Sequence, residues 1–194
     1  MDKVFKKILV GVTGTIGSIN VYQYILALKS RFQCQLDLIL TKNAKQFVST
    51  LALVNLCDHV YDEMFVTSMK SAHVTVVQDV DLFIILPASA NFLSKMAHGS
   101  GDDLLSCCVL NYRKKIYIAP NMNNTMWTNP RVQQNVSTLK EDGHLFVNIE
   151  DCGYKASTGD FISSGASLPQ PQDLIHFILN SEGVLNENDP EINT

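Results

Sequence analysis

A chain of 194 residues, 46% hydrophobic and 18% charged, can bury one sizeable core, which sets the expectation of a single domain over residues 1–180 with a polar, mobile tail over residues 181–194. The formal charge of −4, from 15 Lys and Arg against 19 Asp and Glu, offers no basic field for a phosphate polymer and no polybasic run for an anionic membrane, so no nucleic-acid and no membrane partner is expected. Five cysteines, odd in number, and five histidines fall in no zinc-ligand spacing; no metal site is expected, and a reducing cytoplasmic compartment fits the thiols.

The amino-terminal lysines Lys3, Lys6 and Lys7 precede an apolar run too short for a signal-peptide core, and it reads instead as a first strand, Lys7–Val12. A turn carrying Gly11, Gly14 and Gly17 leads into a helix over residues 19–32, where Val21, Tyr24, Ile25 and Leu28 recur at helical spacing. Residues 36–40 form a second strand, and residues 44–63 mix helical and extended character. The uninterrupted apolar run at 82–86, ended by Pro87, is expected of a strand covered on both faces. Helices follow over 90–98 and 103–110, a strand over 116–119, a helix over 129–142 capped by Asn129 with Pro130 at its first position, and a strand over 145–149. Residues 150–170 are rich in Gly, Ser and Thr without clear periodicity and read as a functional flap, before a last helix introduced by Pro171. Short apolar runs alternating with amphipathic ones define an α/β fold: a Rossmann-like (flavodoxin-like) parallel sheet with helices on both faces.

Three segments could carry chemistry, and each follows a strand. Gly14-Thr15-Ile16-Gly17-Ser18 starts a helix, where backbone N–H groups attract phosphate; the spacing is not G-x-G-x-x-G, and the bland alternative is that the glycines only make a tight turn. Pro87-Ala88-Ser89-Ala90-Asn91 ends the most hydrophobic strand, where open α/β sheets place ligands; its small residues leave room for a flat ring, and the bland alternative is an ordinary helix start. Pro120-Asn121-Met122-Asn123-Asn124-Thr125-Met126-Trp127 sets three amides beside two methionines and the only tryptophan, and amides in apolar surroundings need specific partners, such as a carboxylate or a flavin edge.

The last two segments, with His73 upstream, resemble the homo-oligomeric flavin-containing cysteine decarboxylases. The resemblance runs from about Lys7 to Leu179, and the run Cys57-Asp58-His59-Val60-Tyr61-Asp62-Glu63 is similar to the lantibiotic branch of that family, typified by the epidermin enzyme. It implies that His73 is the active-site base, although nothing intrinsic distinguishes it from His59, His98, His144 and His176 beyond the general ability of an imidazole to move protons near neutrality. It implies that Asn123 and Met126 shape the substrate pocket, with Asn123 holding a carboxylate and Met126 also against the flavin. Gly14, Thr15, Ser18, Thr41 and Phe47 would contact the flavin phosphate, ribityl chain or ring, and Pro87, Ala88, Ser89, Ala90 and Asn91 would line the isoalloxazine. Ala156, Ser157, Thr158 and Gly159 would lie in the flap that closes over substrate.

The activity so implied is oxidative decarboxylation of the carboxyl-terminal cysteine of a lantibiotic precursor peptide to an aminoenethiol. Hydride loss from the cysteine Cβ creates a thioaldehyde that can accept the electrons released with carbon dioxide. FMN and FAD share the ring and first phosphate, and the resemblance favours FMN. It further implies homotrimers assembled into a homododecamer. Two departures bear on this. Phe92 stands where the family motif continues with threonine, which removes one hydroxyl near the expected flavin. Cys152-Gly153-Tyr154 is similar to the flap cysteine of the phosphopantothenoylcysteine decarboxylases of coenzyme A synthesis, the alternative substrate class, but Lys155 is the only basic residue between Glu150 and Gln170 to meet so charged a substrate. Flavin prenyltransferases share a similar glycine turn but not the asparagine and tryptophan segment. A non-catalytic flavin-binding regulator is the alternative outside enzymes, and turnover of cysteine-terminated peptides discriminates it.

Overall fold

The computed structural model describes residues 5–64, 70–147, 149–155 and 160–184. Strands β1 (Lys7–Val12), β2 (Gln35–Leu40), β3 (His59–Tyr61), β4 (Leu82–Ala88), β5 (Ile116–Pro120) and β6 (Leu145–Phe146) form one sheet in the order β3-β2-β1-β4-β5-β6, with every pair parallel. All seven residues of β4 are buried, as a central strand covered on both faces requires. The chain reverses its winding between β1 and β4, so the crevice for a ligand opens at their carboxyl ends. This is the Rossmann order, distinct from the flavodoxin order in which β1 and β3 flank the switch point.

Alternation along β1 supplies both layers. Ile8, Val10 and Val12 pack into a cluster with α1 (Val21–Phe32) and α8 (Pro171–Ser181). Leu9 points the other way, into a cluster with α3 (Ala72–Thr75), α4 (Ala90–Ala97), α5 (Leu104–Asn111) and α7 (Pro130–Glu141). Helix starts follow local chemistry. Asp103 accepts the Ser106 N–H at 2.8 Å, and Asn129 accepts the Arg131 N–H at 2.9 Å just ahead of Pro130. Among the described residues no helix is long and apolar enough to cross a membrane.

Three stretches differ from the sequence expectation. The mixed region resolves into a 3-10 turn (Ala44–Gln46), α2 (Thr50–Leu53) and β3. The expected last strand at 145–149 ends at Phe146, and Ile149 opens an antiparallel hairpin of β7 (Ile149–Lys155) and β8 (Asp160–Ser167) that forms a separate two-stranded sheet. A ribbon pairing only with itself needs no alternating apolar face, so its strands left no period to read. The last helix continues to Ser181, where the expected mobile tail begins. The Tyr117 hydroxyl lies 2.6 Å from Ser181 Oγ and donates to Glu182 Oε1 at 2.6 Å, while Lys115 Nζ sits 3.0 Å from the same carboxylate. These partners are distant in sequence, so polarity alone read as looseness. The rest of the expected tail, residues 185–194, lies outside the described residues.

His144 couples the fold to pH. Its Nδ1 accepts the Ile116 N–H at 3.2 Å, which requires the neutral ring, and burial holds its pKa below the ordinary histidine value against a smaller upward pull from Asp142. The unfolded chain therefore takes up this proton first as pH falls below about 6.5, and stability is lost downward from there. The thermal midpoint should drop between about pH 7 and 5, and by less in His144→Gln; equal drops would remove His144 as the cause.

Candidate functional site

The carboxyl ends of β1, β4 and β5 bring the three chemistry-bearing segments together. Thr13, just past β1 and buried, ties the first to the second: its Oγ1 donates to the Pro87 carbonyl at 2.8 Å and accepts the Ser89 N–H at 2.8 Å. The Ser18 hydroxyl donates back to the Thr13 carbonyl at 2.7 Å. Asn121 ties in the third segment, because its N–H donates to the Ala88 carbonyl at 2.9 Å and its Oδ1 accepts the Gly17 N–H at 3.1 Å. Thr13 did not stand out by residue type, and Asn121 did so only as one of the three amides of its segment. A hydroxyl inside an otherwise apolar strand end was the available signal for the first, and only the fold places Asn121 against Gly17.

The glycines of the first turn are explained by packing. A Cβ on Gly14 would lie 2.4 Å from Asn43 Cβ, and one on Gly17 would lie 2.7 Å from Asn121 Oδ1. The tight-turn reading therefore accounts for these two positions. Thr15 is different. Among the described residues its Oγ1 is a buried side-chain oxygen without a hydrogen-bond partner: it faces the Ser18 N–H in the manner of a capping box but makes no cap bond, and that N–H is bonded to the Thr15 carbonyl at 3.1 Å. A buried hydroxyl left unpaired costs about 1–3 kcal/mol, and such a group calls for a ligand acceptor or donor. A phosphate at this turn would supply it, so the residues present fit a flavin mononucleotide, with Thr15 at the phosphate end and small Pro87 and Ala88 beside a flat ring; Ser18, expected as a further contact, is buried with its hydroxyl and N–H already given to the Thr13 and Thr15 carbonyls, and braces the turn instead.

The remaining expected site residues fall as follows. Thr41 closes β2, its N–H donating to the Val12 carbonyl at 3.0 Å and its Oγ1 accepting from Ala44 N–H at 3.3 Å. Phe47 and Met126 are exposed apolar side chains, each following the carboxyl end of a strand. Ser89 caps α4, accepting the Phe92 N–H at 3.2 Å, so the helix-start reading also holds there; Ala90 and exposed Asn91 open that helix. Phe92 is 2% exposed in the α4 and α5 core, which places this departure from the motif in the core. Asn123 caps α6 (Asn124–Trp127), its Oδ1 accepting the Met126 N–H at 2.9 Å, which leaves Nδ2 as its donor for an external oxygen.

Among the described residues of one chain, no contact brings His73 to this cradle. It sits exposed on α3, and its carbonyl accepts from Cys108 Sγ at 3.7 Å and Asn111 Nδ2 at 3.4 Å. Residues 156–159, expected to contact substrate, lie outside the described residues. His59 and His98, like His144, bond within the fold: His59 Nδ1 is 2.9 Å from Asp37, and His98 Nδ1 is 2.8 Å from the Ser94 carbonyl. The Cys57–Glu63 run is structural where described. Asp58 accepts the Leu36 N–H at 2.8 Å and pairs with Lys29, and Asp62 pairs with Lys45.

A Rossmann-ordered sheet whose switch point carries a pinned turn, an unpaired buried hydroxyl and a small-residue strand end defines a mononucleotide-binding α/β protein. The sequence pattern of the family described as Flavoprotein matches residues 1–182, and the chain belongs to that family. It is 32% identical over 179 residues to the epidermin decarboxylase of Staphylococcus epidermidis, covering 92% of this chain and 97% of that protein. A solved structure of EpiD, in a histidine-to-asparagine form complexed with substrate peptide DSYTC, is similar with a TM-score of 0.83 at 30% identity, covering 91% of this chain and 100% of that one. The structure of an FMN-dependent cysteine decarboxylase, SpaF, has a TM-score of 0.76 at 29% identity, covering 92% and 97%.

Proposed function

We propose that this chain is an FMN-dependent peptidyl-cysteine decarboxylase that converts the carboxyl-terminal cysteine of a lantibiotic precursor to an aminoenethiol in the cytoplasm. The observation that carries the reading is the double use of one loop. Asn121 locks the Thr15 turn, and two residues on Asn123 presents an amide donor beside the same crevice. Cofactor and carboxylate are thereby held by one rigid segment, which is what an oxidation at the cysteine Cβ, one carbon beyond the carbon that bears the carboxylate, needs. Bound FMN supplies the hydride acceptor.

The chain's own groups do the rest. Thr15 holds the phosphate on a turn that Ser18 braces, and Asn123 orients the carboxylate as a neutral donor, without stabilising its charge against loss of carbon dioxide. His73 takes the thiol proton. Exposed Val74 and Leu110, 46% and 48% accessible on the helices that pack around His73, support assembly of copies in which His73 of one chain completes the cradle of another, within the trimers and dodecamer of this reading. Sedimentation gives the size; a monomer with full turnover would refute the shared site.

Purified protein incubated with synthetic peptides ending in cysteine should yield products lighter by carbon dioxide and two hydrogens. No change in any peptide, alongside turnover of phosphopantothenoylcysteine, would overturn the substrate assignment. The hairpin should matter to the same assay. Its root is seated on the site loop, since a Cβ on Gly165 would lie 2.7 Å from Trp127 Nε1, and the Met122 N–H donates to the Ala166 carbonyl at 3.4 Å. Gly165→Ala should therefore raise the peptide KM about 10-fold with flavin content unchanged. An unaltered KM would show that the hairpin does not engage the peptide.

A further inference from the structure

A charged residue interrupts the buried run of the second strand, next to the edge of the sheet. Asp37 lies on β2 and is fully buried. Its carboxylate is met by His59 Nδ1 at 2.9 Å, by Gln35 Nε2 at 3.0 Å and by Lys7 Nζ at 3.5 Å. A buried charge this close to the core persists only when paired and hydrogen-bonded. Lys7 has two further partners, the Val76 carbonyl at 3.1 Å and the Gln78 carbonyl at 3.2 Å. Two hydrogen bonds to backbone carbonyls and an ion pair to a buried carboxylate hold that ammonium from three sides.

Those two carbonyls lie immediately beyond α3, the turn that carries His73. Helix α3 has four residues, too few to be stable alone, and left-handed residues stand on either side of it, Ser71 at φ 48° and Asp79 at φ 59°. The carbonyls at a helix's carboxyl end have no partner within the helix, and a lysine there both satisfies them and opposes the helix dipole. We propose that Lys7, held by buried Asp37, is a positioning residue for decarboxylation: it clamps the carboxyl end of α3 and thereby sets the place of His73. The proposal rests on the reading of His73 as the base.

Lys7→Met alone would strand the Asp37 charge, so the decisive variant is Lys7→Met combined with Asp37→Asn, which leaves an amide to meet His59 and Gln35 but restores no donor to Val76 and Gln78. Tested as flavin-loaded protein, it should keep its flavin absorbance and its peptide KM, while kcat falls about 10- to 100-fold. Hydrogen exchange at residues 72–80 should quicken at least about 10-fold with β1 unchanged. Parent kcat in the double variant would overturn the proposal, and so would a fall in kcat that only tracks flavin loss. Full turnover in His73→Asn would instead sink the role of His73, and is read separately from the exchange result.

Discussion

His73→Asn is expected to give a folded, yellow protein that has lost decarboxylation by about 10²- to 10⁴-fold, the range that a positioned proton-transfer group contributes. The reason for retained colour is geometric. His73 is bonded through its backbone to α5, whereas the cradle is closed by Thr13, Asn121 and Ser18 without it. Asparagine is uncharged and of similar reach, and the position is exposed, so no core contact is lost. Flavin absorbance and mass-spectrometric turnover on the same sample check both halves. A colourless variant would make His73 a flavin ligand, and an active one would remove it as the base.

Thr15→Val should separate the protein's stability from its affinity for cofactor. Valine keeps the shape and suits the extended backbone at this residue, φ −132° and ψ 164°. Removing an unpaired buried hydroxyl costs the apoprotein nothing and can raise its thermal midpoint. A hydrogen bond to a charged phosphate oxygen is worth about 1.5–3 kcal/mol, so the FMN dissociation constant should rise about 10- to 150-fold. Titration by flavin fluorescence on the apoprotein measures it. Unchanged affinity together with an unchanged midpoint would mean that Thr15 Oγ1 meets no ligand.

The candidate site was legible in segments and illegible in its joints. The turn at Gly14–Ser18, the end of β4 and the Asn121–Trp127 loop are each readable because strand ends and helix starts leave compositional marks. The bonds between them, Gly17 to Asn121 and Thr13 to both Pro87 and Ser89, join residues 70 to 105 positions apart. Residue type does not announce such pairs. Phe92 shows the converse: motif comparison made it a loss near the flavin, and its burial in the core makes it a packing residue.

What the sequence determined by itself is the parallel sheet, the helices over it and the three strand-end segments, because hydrophobic period and capping chemistry act between residues close in the chain. What only the tertiary structure decided is the strand order, the self-paired hairpin, the pinning of Ser181 and Glu182, and the clamp that Lys7 and Asp37 place beneath His73. Each of these depends on backbone or charged groups finding partners across the fold. Burial forces those groups to be satisfied, and the sequence does not say by whom.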